Sequence, residues 1–225
     1  HALEVFEAAS PVPVIGVIEP GARAAVRVTG PRPIGVIGTA GTIASLAYPR
    51  AIAALTASAT VHQRACPLFV PLVEEGWFDH PATRLVAEEY LAPLRSLNLG
   101  TLVLGCTHYP LLQPLIAAVM GPSVALIDSA AETAAALGAL LGSRSAEAPV
   151  GAPALRRYVV SDDPERFRVV GSRFLGQPVT IAEVVEATSP GLTLDIGANT
   201  GEFSEIAARH GAVVALDIDE RSVAA

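Results

Sequence analysis

Short, almost wholly apolar runs alternate with helical patterns along the chain, and this alternation restricts the possible folds more than any other feature. The runs PIGVIG, TLVLG and VALID are bounded by Gly, Pro or polar residues, which is typical of strands buried on both faces of a sheet. The amphipathic segment PATRLVAEEYLAPLRSL, at 81–97, predicts a helix. We therefore predict an α/β fold with mostly parallel sheets, covered by helices on both faces.

The other elements are predicted from the same patterns. VPVIGVIEPG at 12–21 predicts a buried strand followed by a loop, and PIGVIGTAGTIAS at 33–45 predicts a strand that enters a Gly/Thr turn. The helical pattern after this turn is expected to end at Pro49. Further strands are predicted within 59–69, 100–110, 124–130, 156–163 and 180–186, further helices within 111–120, 131–142 and 164–176, and a linker at 143–154.

Composition and charge exclude several functional classes. Hydrophobic residues make up 51% of the 225 residues and charged residues 16%, which predicts a globular chain. The net charge of −7 and the lack of a basic cluster argue against a nucleic-acid surface. No apolar run reaches the length of a membrane span. The two cysteines can form one disulfide at most and lack metal-site spacing. Without a secretory signal near residue 1, we expect a cytoplasmic location.

Polar side chains with reactive groups follow several of the predicted strands. A thiol, a hydroxyl and an imidazole stand in succession after LVLG, at Cys106, Thr107 and His108. Ligands in open α/β sheets bind beyond the carboxyl ends of the strands, and a thiolate beside an imidazole is a good base or nucleophile. Candidates at other predicted strand ends are Thr39, Thr42 and Glu74.

Each candidate also has a plain structural interpretation. Cys106 could be an inert buried thiol and His108 a hydrogen-bonding residue at a strand end. Glu74, beside Glu75 and before Gly76, could lie at a solvated helix end. Thr39 and Thr42 could cap the next helix. From the residues alone, the prediction therefore stops at a small-molecule site around Cys106.

A resemblance carries the interpretation further. LVLGCTHYPLL resembles the second catalytic cysteine motif of the aspartate/glutamate racemase family. PVIGVIEPGA, IGVIGTAGTIAS, ACPLFVPLVEEG, IDSAAETA and YVVSDDPERFRVVGSRFLG are similar to other landmarks of that family, in the same order. Together these segments cover about residues 1–186. The resemblance implies an isomerase that interconverts L- and D-glutamate for peptidoglycan synthesis.

The resemblance also implies a mechanism and a set of site residues. Members of the family use two cysteines, one on each face of the substrate, and no cofactor, which suits removal of a Cα proton from one face and its return to the other. Cys106 would be one of these bases, with His108 and Glu74 as assisting ionisable residues. Thr107 and His108 would hold the substrate, glutamate, and Thr39 and Thr42 would supply further donors.

One departure from the family pattern affects the expected activity. The first cysteine of the family stands in a CNTA-like turn upstream of the segment that residues 1–17 resemble, and these 225 residues contain no such turn. Cys66 matches a structural position of the family and is expected to be buried. We therefore expect this 225-residue chain not to racemise by the two-base route.

The resemblance implies two similar three-layer lobes with the active site between them, and it allows a homodimer. Residues 22–128 would form the second lobe, and 1–21 with 129–186 an incomplete first lobe. The remaining segment, 187–225, contains LDIGANTGEF and VVALDIDE and resembles the first Rossmann-like βαβ unit of class I S-adenosylmethionine-dependent methyltransferases. The cofactor-binding residues implied there are Asp195, Gly197, Gly201 and Asp217.

Three alternatives remain open at this point. The chain could be a fragment of a methyltransferase that binds S-adenosylmethionine, although the matching segment is too short for methyl transfer. It could be a binding module that keeps the racemase fold without catalysis. It could also belong to a relative that acts on aspartate or a hydantoin.

Overall fold

The computed structural model describes residues 2–151, 158–160, 162–180 and 182–184. These residues belong to two compact units. Of the described residues, one unit contains 16–136, and the other contains 2–15 together with those between 137 and 184. Among the described residues, no helix is both long enough and apolar enough to cross a membrane.

A parallel sheet of four strands forms the centre of the unit at 16–136. The strands are β1 (Ile34–Gly38), β2 (Val61–Ala65), β3 (Thr101–Gly105) and β4 (Ala125–Asp128), in the spatial order β2-β1-β3-β4. Ile34 lies opposite Val61 on one side and Thr101 on the other. The predicted α/β fold with a parallel sheet is confirmed.

Helices cover both faces of this sheet because its central strands are apolar on both sides. Leu102 and Leu104 of β3 belong to one hydrophobic cluster, whereas Val103 between them belongs to the other. This alternation follows from the two-residue period of a strand. The helices of the described residues are α1 (Ala2–Ala9), α2 (Ile18–Thr29), α3 (Ala40–Ala44), α4 (Ala47–Leu55), α5 (Phe69–Glu74), α6 (Pro81–Arg95), a 3-10 helix (Tyr109–Leu112), α7 (Gln113–Met120), α8 (Ser129–Ser143) and α9 (Pro164–Leu175).

The strand predicted at 12–21 is wrong. Residues 11–17 have no regular secondary structure, and α2 begins at Ile18. Pro20 lies in the first turn of α2, where a missing N–H leaves no helical hydrogen bond unmade. Gly21 faces Ser129 so closely that a Cβ would lie 2.6 Å from the Ser129 hydroxyl. The apolar run before Pro20 and Gly21 is therefore an irregular segment that is followed by a packed helix.

Pro49 does not end a helix as predicted. The helical pattern is divided between α3 and α4, and Leu46 separates them with a left-handed backbone at φ 54°. Pro49 is the third residue of α4, again within the first turn, where proline is tolerated. Both errors arise because a proline in the first turn of a helix looks in sequence like a proline that ends an element, whether a strand or a helix.

The second unit contains a small parallel pair of strands, β5 (Val159–Val160) and β6 (Glu183–Val184). Between them, α9 begins at Pro164 as predicted. The side chain of Asp163 accepts a hydrogen bond from the Arg166 amide and caps this helix. The tail with Asp195, Gly197, Gly201 and Asp217 lies outside the described residues, so its assignment remains a prediction.

Candidate active site at the carboxyl edge of the sheet

Three strands of the sheet end level with one another at their carboxyl edge. Gly38 of β1 lies opposite Ala65 of β2 and Gly105 of β3. The next residues along the chain are Thr39, Cys66 and Cys106. Strand β1 connects to β2 on one side and neighbours β3 on the other, so the switch point of the sheet lies between β1 and β3. Thr39 and Cys106 leave the sheet at this point, where α/β folds bind ligands.

A thiol, an imidazole and a carboxylate are grouped beyond β3. The Sγ atom of Cys106 lies 3.9 Å from Nδ1 of His108. Nε2 of His108 lies 3.3 Å from Oε1 of Glu74. The hydroxyl of Thr107 is 3.4 Å from the same Nδ1 atom that faces Cys106. The structure thus brings together four of the residues singled out in the sequence.

The two neighbours of His108 indicate its tautomer. A carboxylate only accepts hydrogen bonds, so Nε2 of His108 carries the proton that faces Glu74. In neutral His108 the Nδ1 atom is then an acceptor, and it faces the Cys106 thiol. This tautomer can take up the proton of Cys106, because the imidazolium that forms would face the Glu74 carboxylate.

Burial acts against charge on His108. The residue is 9% exposed, and burial lowers the pKa of His108 from its usual value of 6.5, whereas the charge of Glu74 and its hydrogen bond partly raise it again. Neutral His108 is therefore the favoured form in the folded protein.

This lowered pKa makes stability depend on pH. Because the unfolded chain binds a proton at His108 more readily, the contribution of this residue is present above about pH 6.5 and is lost as the pH falls toward the lower folded value. We expect His108→Asn to weaken the fall in unfolding free energy below pH 6.5. Glu74→Gln removes the group that raises this pKa, so it should steepen the same fall. Urea unfolding between pH 7.5 and 5 measures both, and equal slopes in the three proteins would contradict the assignment.

The segment after β3 is shaped by a glycine and a proline. A Cβ on Gly105 would lie 2.9 Å from the Ile37 carbonyl oxygen and equally close to the ring of Tyr48, so only glycine fits there. Beyond it, the Tyr109 amide donates to the Cys106 carbonyl and the 3-10 helix begins, with Pro110 at its second position. The chain therefore turns at once after Cys106 and keeps the thiol near the strand end.

Glu74 lies at the end of a helix and not beyond a strand as predicted. It is the last residue of α5, which follows β2. Its side chain is only 19% exposed, so the alternative of a solvated helix end also fails. The carboxylate turns inward to His108 instead.

Thr39 and Thr42 form a helix cap at the end of β1. The Thr39 hydroxyl accepts a hydrogen bond from the Thr42 amide at 3.2 Å, and the two hydroxyls lie 3.0 Å apart. The interpretation of Thr39 as a helix cap therefore accounts for the contacts between Thr39 and Thr42. Their place at the carboxyl end of β1, next to β3, is the one expected of groups that face a bound ligand.

Cys66 differs from Cys106 in its surroundings. It is fully buried, and burial raises the pKa of its thiol to about 12, with Arg64 acting in the opposite direction. Both cysteines are free. Cys66 follows β2 and Cys106 follows β3, on opposite sides of β1. Two strand spacings, about 9.6 Å, therefore separate the two strands, and this distance is beyond the reach of a disulfide. The expectation that Cys66 is buried is confirmed.

Sequence reasoning did not identify two aromatic residues of this region. Tyr109 and Phe69 are both fully buried, with ring centroids 5.2 Å apart at 89°. For Tyr109, the sequence offered one signal, which was its position directly after the Cys-Thr-His run. Among the described residues, no group of three or more His, Cys, Asp or Glu side chains is arranged to hold a metal ion.

The fold and the site together define a class of protein. An open parallel α/β sheet with a thiol, an imidazole and a carboxylate at its switch point is an α/β enzyme of small-molecule chemistry. The family model described as Asp/Glu/Hydantoin racemase matches residues 1–137. The chain belongs to this family.

Proteins similar to this chain include curated glutamate racemases. It is 49% identical over 185 residues to the glutamate racemase of Syntrophus aciditrophicus, covering 82% of this chain and 68% of the relative. The Geobacter metallireducens glutamate racemase is 49% identical over 175 residues, covering 78% of this chain and 65% of the relative. The chain thus spans about two thirds of the length of these relatives.

Solved structures of glutamate racemases are similar in fold. The Bacillus anthracis enzyme has a TM-score of 0.77 and 38% identity, over 82% of this chain and 68% of that one. The Francisella tularensis enzyme, solved in complex with D-glutamate, has a TM-score of 0.73 and 35% identity, over 81% of this chain and 67% of that one.

Proposed function

We propose that this chain acts in the racemisation of glutamate, with Cys106 as one of two bases at Cα, and so supplies D-glutamate for peptidoglycan. The observation that carries the proposal is the Cys106–His108–Glu74 arrangement at the switch point of the sheet. The proposal is also supported by the 49% identity between this chain and two curated glutamate racemases.

The proposed reaction is a proton transfer at each face of the substrate. His108 takes the thiol proton of Cys106 through Nδ1, and Glu74 stabilises the resulting imidazolium through Nε2. The Cys106 thiolate then removes the Cα proton, so that the C–H bond breaks and an S–H bond forms. The electron pair left at Cα is spread into the adjacent carboxylate, and a donor on the opposite face returns a proton to Cα.

Placed hydrogen-bond donors must stabilise the carbanionic transition state, because the Cα–H of an amino acid is a very weak acid. The Thr107 hydroxyl lies 3.4 Å from Nδ1 of His108, and Thr39 and Thr42 follow the neighbouring strand end. We assign the substrate carboxylates to these hydroxyls and to the backbone amides around them. In this proposal, residues 22–128 form the lobe that carries Cys106.

The opposing base is expected from residues other than these 225. Cys66 is the only other cysteine in the sequence, and its thiol is buried with a pKa raised to about 12. A thiol in this state is protonated at neutral pH and shielded from a substrate. The purified 225-residue chain should therefore exchange a Cα proton at one face without inverting the centre.

Isotope exchange tests this directly. The 225-residue chain is incubated in D2O with L-glutamate and with D-glutamate, and NMR follows the loss of the Cα–H signal while chiral chromatography follows inversion. We expect exchange with one enantiomer and no appreciable inversion of either. Inversion at ordinary enzyme rates would refute the single-base expectation, and no exchange with either enantiomer would refute the role of Cys106. L- and D-aspartate run in parallel decide between the two acidic substrates.

A further inference from the structure

The proton transfers described above do not use Tyr109, although it is fully buried directly after the Cys106–His108 segment. We propose that Tyr109 is a positioning residue, which holds the beginning of α5 so that Glu74, at the end of that helix, stays against His108. The inference rests on the proposed function for its catalytic consequence, but its structural part can be tested without substrate.

The first contact is a shared carbonyl group. The Tyr109 hydroxyl donates a hydrogen bond to the Cys66 carbonyl at 2.9 Å. The same carbonyl accepts from the amide of Phe69, the first residue of α5, at 3.1 Å. Tyr109 follows β3 and Cys66 follows β2, so this hydrogen bond joins two strand ends across β1. Burial raises the pKa of Tyr109 above its usual range, so its hydroxyl remains a donor.

The second contact is between aromatic rings. The ring of Tyr109 meets the ring of Phe69 edge to face, at 5.2 Å and 89°. Phe69 meets Tyr90 in the same way at 5.4 Å, and the Tyr90 hydroxyl accepts from the amide of Leu68, just before α5. Edge-to-face pairs have a preferred geometry, so they fix the direction in which α5 begins.

The other end of α5 lies close to the segment that contains Tyr109. This helix has six residues and is therefore about 9 Å long. Its last residue, Glu74, faces Nε2 of His108. His108 directly precedes Tyr109 in the sequence. Val70 and Val73 between the two ends are buried in the core. Because so short a helix moves as one body, a shift at Phe69 changes the distance between Glu74 and His108.

The test measures the titration of His108 by NMR of labelled imidazole in the 225-residue chain. Since Glu74 raises the pKa of His108 against burial, Tyr109→Phe should give a lower apparent pKa than the wild type, and Glu74→Gln a lower one still. In the Glu74→Gln background, Tyr109→Phe should cause no further change. In the Cα-proton exchange assay, kcat of Tyr109→Phe should fall about three- to tenfold with little change in KM. A decrease of this size corresponds to the loss of one hydrogen bond.

Two further variants separate positioning from general packing. Tyr48→Phe is the matched control, because Tyr48 is also buried and its hydroxyl bonds to Ser129 on the other face of the sheet. It should leave the His108 titration unchanged. Phe69→Leu removes the ring that meets Tyr109 at the same end of α5 but leaves the Tyr109 hydroxyl in place, and it should lower the His108 pKa as Tyr109→Phe does. An unchanged titration in both Tyr109→Phe and Phe69→Leu, or an equal change with and without Glu74, would overturn the inference.

Discussion

Replacement of Cys106 with alanine is expected to lower the rate of Cα-proton exchange by about 10²- to 10⁴-fold, the usual contribution of a general base. In the proposed reaction the Cys106 thiolate is the group that receives the Cα proton. His108 faces Cys106 through Nδ1, but its other nitrogen is engaged by Glu74. The loss should appear in kcat, with KM for glutamate little changed, because the substrate donors remain.

Two other variants make this result specific. Cys106→Ser keeps the size of the side chain but replaces the thiol by a much weaker acid, so it should lose nearly as much exchange. Cys66→Ala is the matched control, because it removes the other cysteine, which is fully buried behind the end of β2. It should reduce stability while the exchange rate per folded molecule stays near that of the wild type. Equal losses in Cys66→Ala and Cys106→Ala would contradict the assignment of the base.

Replacement of Gly100 with alanine is expected to destabilise the protein by about 3 kcal/mol, at the upper end of the usual cost of overpacking. A Cβ on Gly100 would lie 2.4 Å from both the carbonyl oxygen and the hydroxyl of Thr29. The obstacle is largely backbone, since Thr29 is the last residue of α2. Gly100 also donates to the Pro33 carbonyl and accepts from the Ala125 amide, so neither side can move without breaking the sheet edge.

Urea unfolding at pH 7.5 measures this cost as a lower midpoint at similar slope. Gly138→Ala is the matched control, because Gly138 lies inside α8 with no atom within 4 Å of its added Cβ. That substitution should stabilise the protein by about 0.5–1 kcal/mol, as is usual in a helix interior. A Gly100→Ala midpoint equal to that of Gly138→Ala would show that α2 and β3 can separate freely.

Local patterns were enough to predict most strands of the sheet and their parallel direction. β1, β3 and β4 lie within the predicted runs, and their apolar composition indicated burial on both faces. The same patterns failed for α2 and α4. A proline near a helix is compatible with its first turn or with the residue after its last, and packing decides between the two positions.

The site shows the same division between local and distant information. The succession of Cys106 and His108 could be recognised in the sequence because the two residues are neighbours on one turn. Glu74 was singled out in the sequence as a candidate at a predicted strand end, but that position was wrong, because Glu74 ends α5. The contact between Glu74 and His108 depends on how α5 packs beside the end of β3, and no periodic pattern in the sequence records that.

The sequence by itself determined the parallel α/β fold, the burial of the central strands and the presence of a thiol and an imidazole after β3. These features depend on hydrophobic periodicity and on residues next to one another in the chain, which are local properties. The tertiary structure alone decided which way α5 carries Glu74, that Cys66 and Cys106 stand on opposite sides of β1, and that Tyr109 bonds to the Cys66 carbonyl. These are contacts between segments brought together by strand order and side-chain packing, whose free energy is gained only when the whole unit has folded.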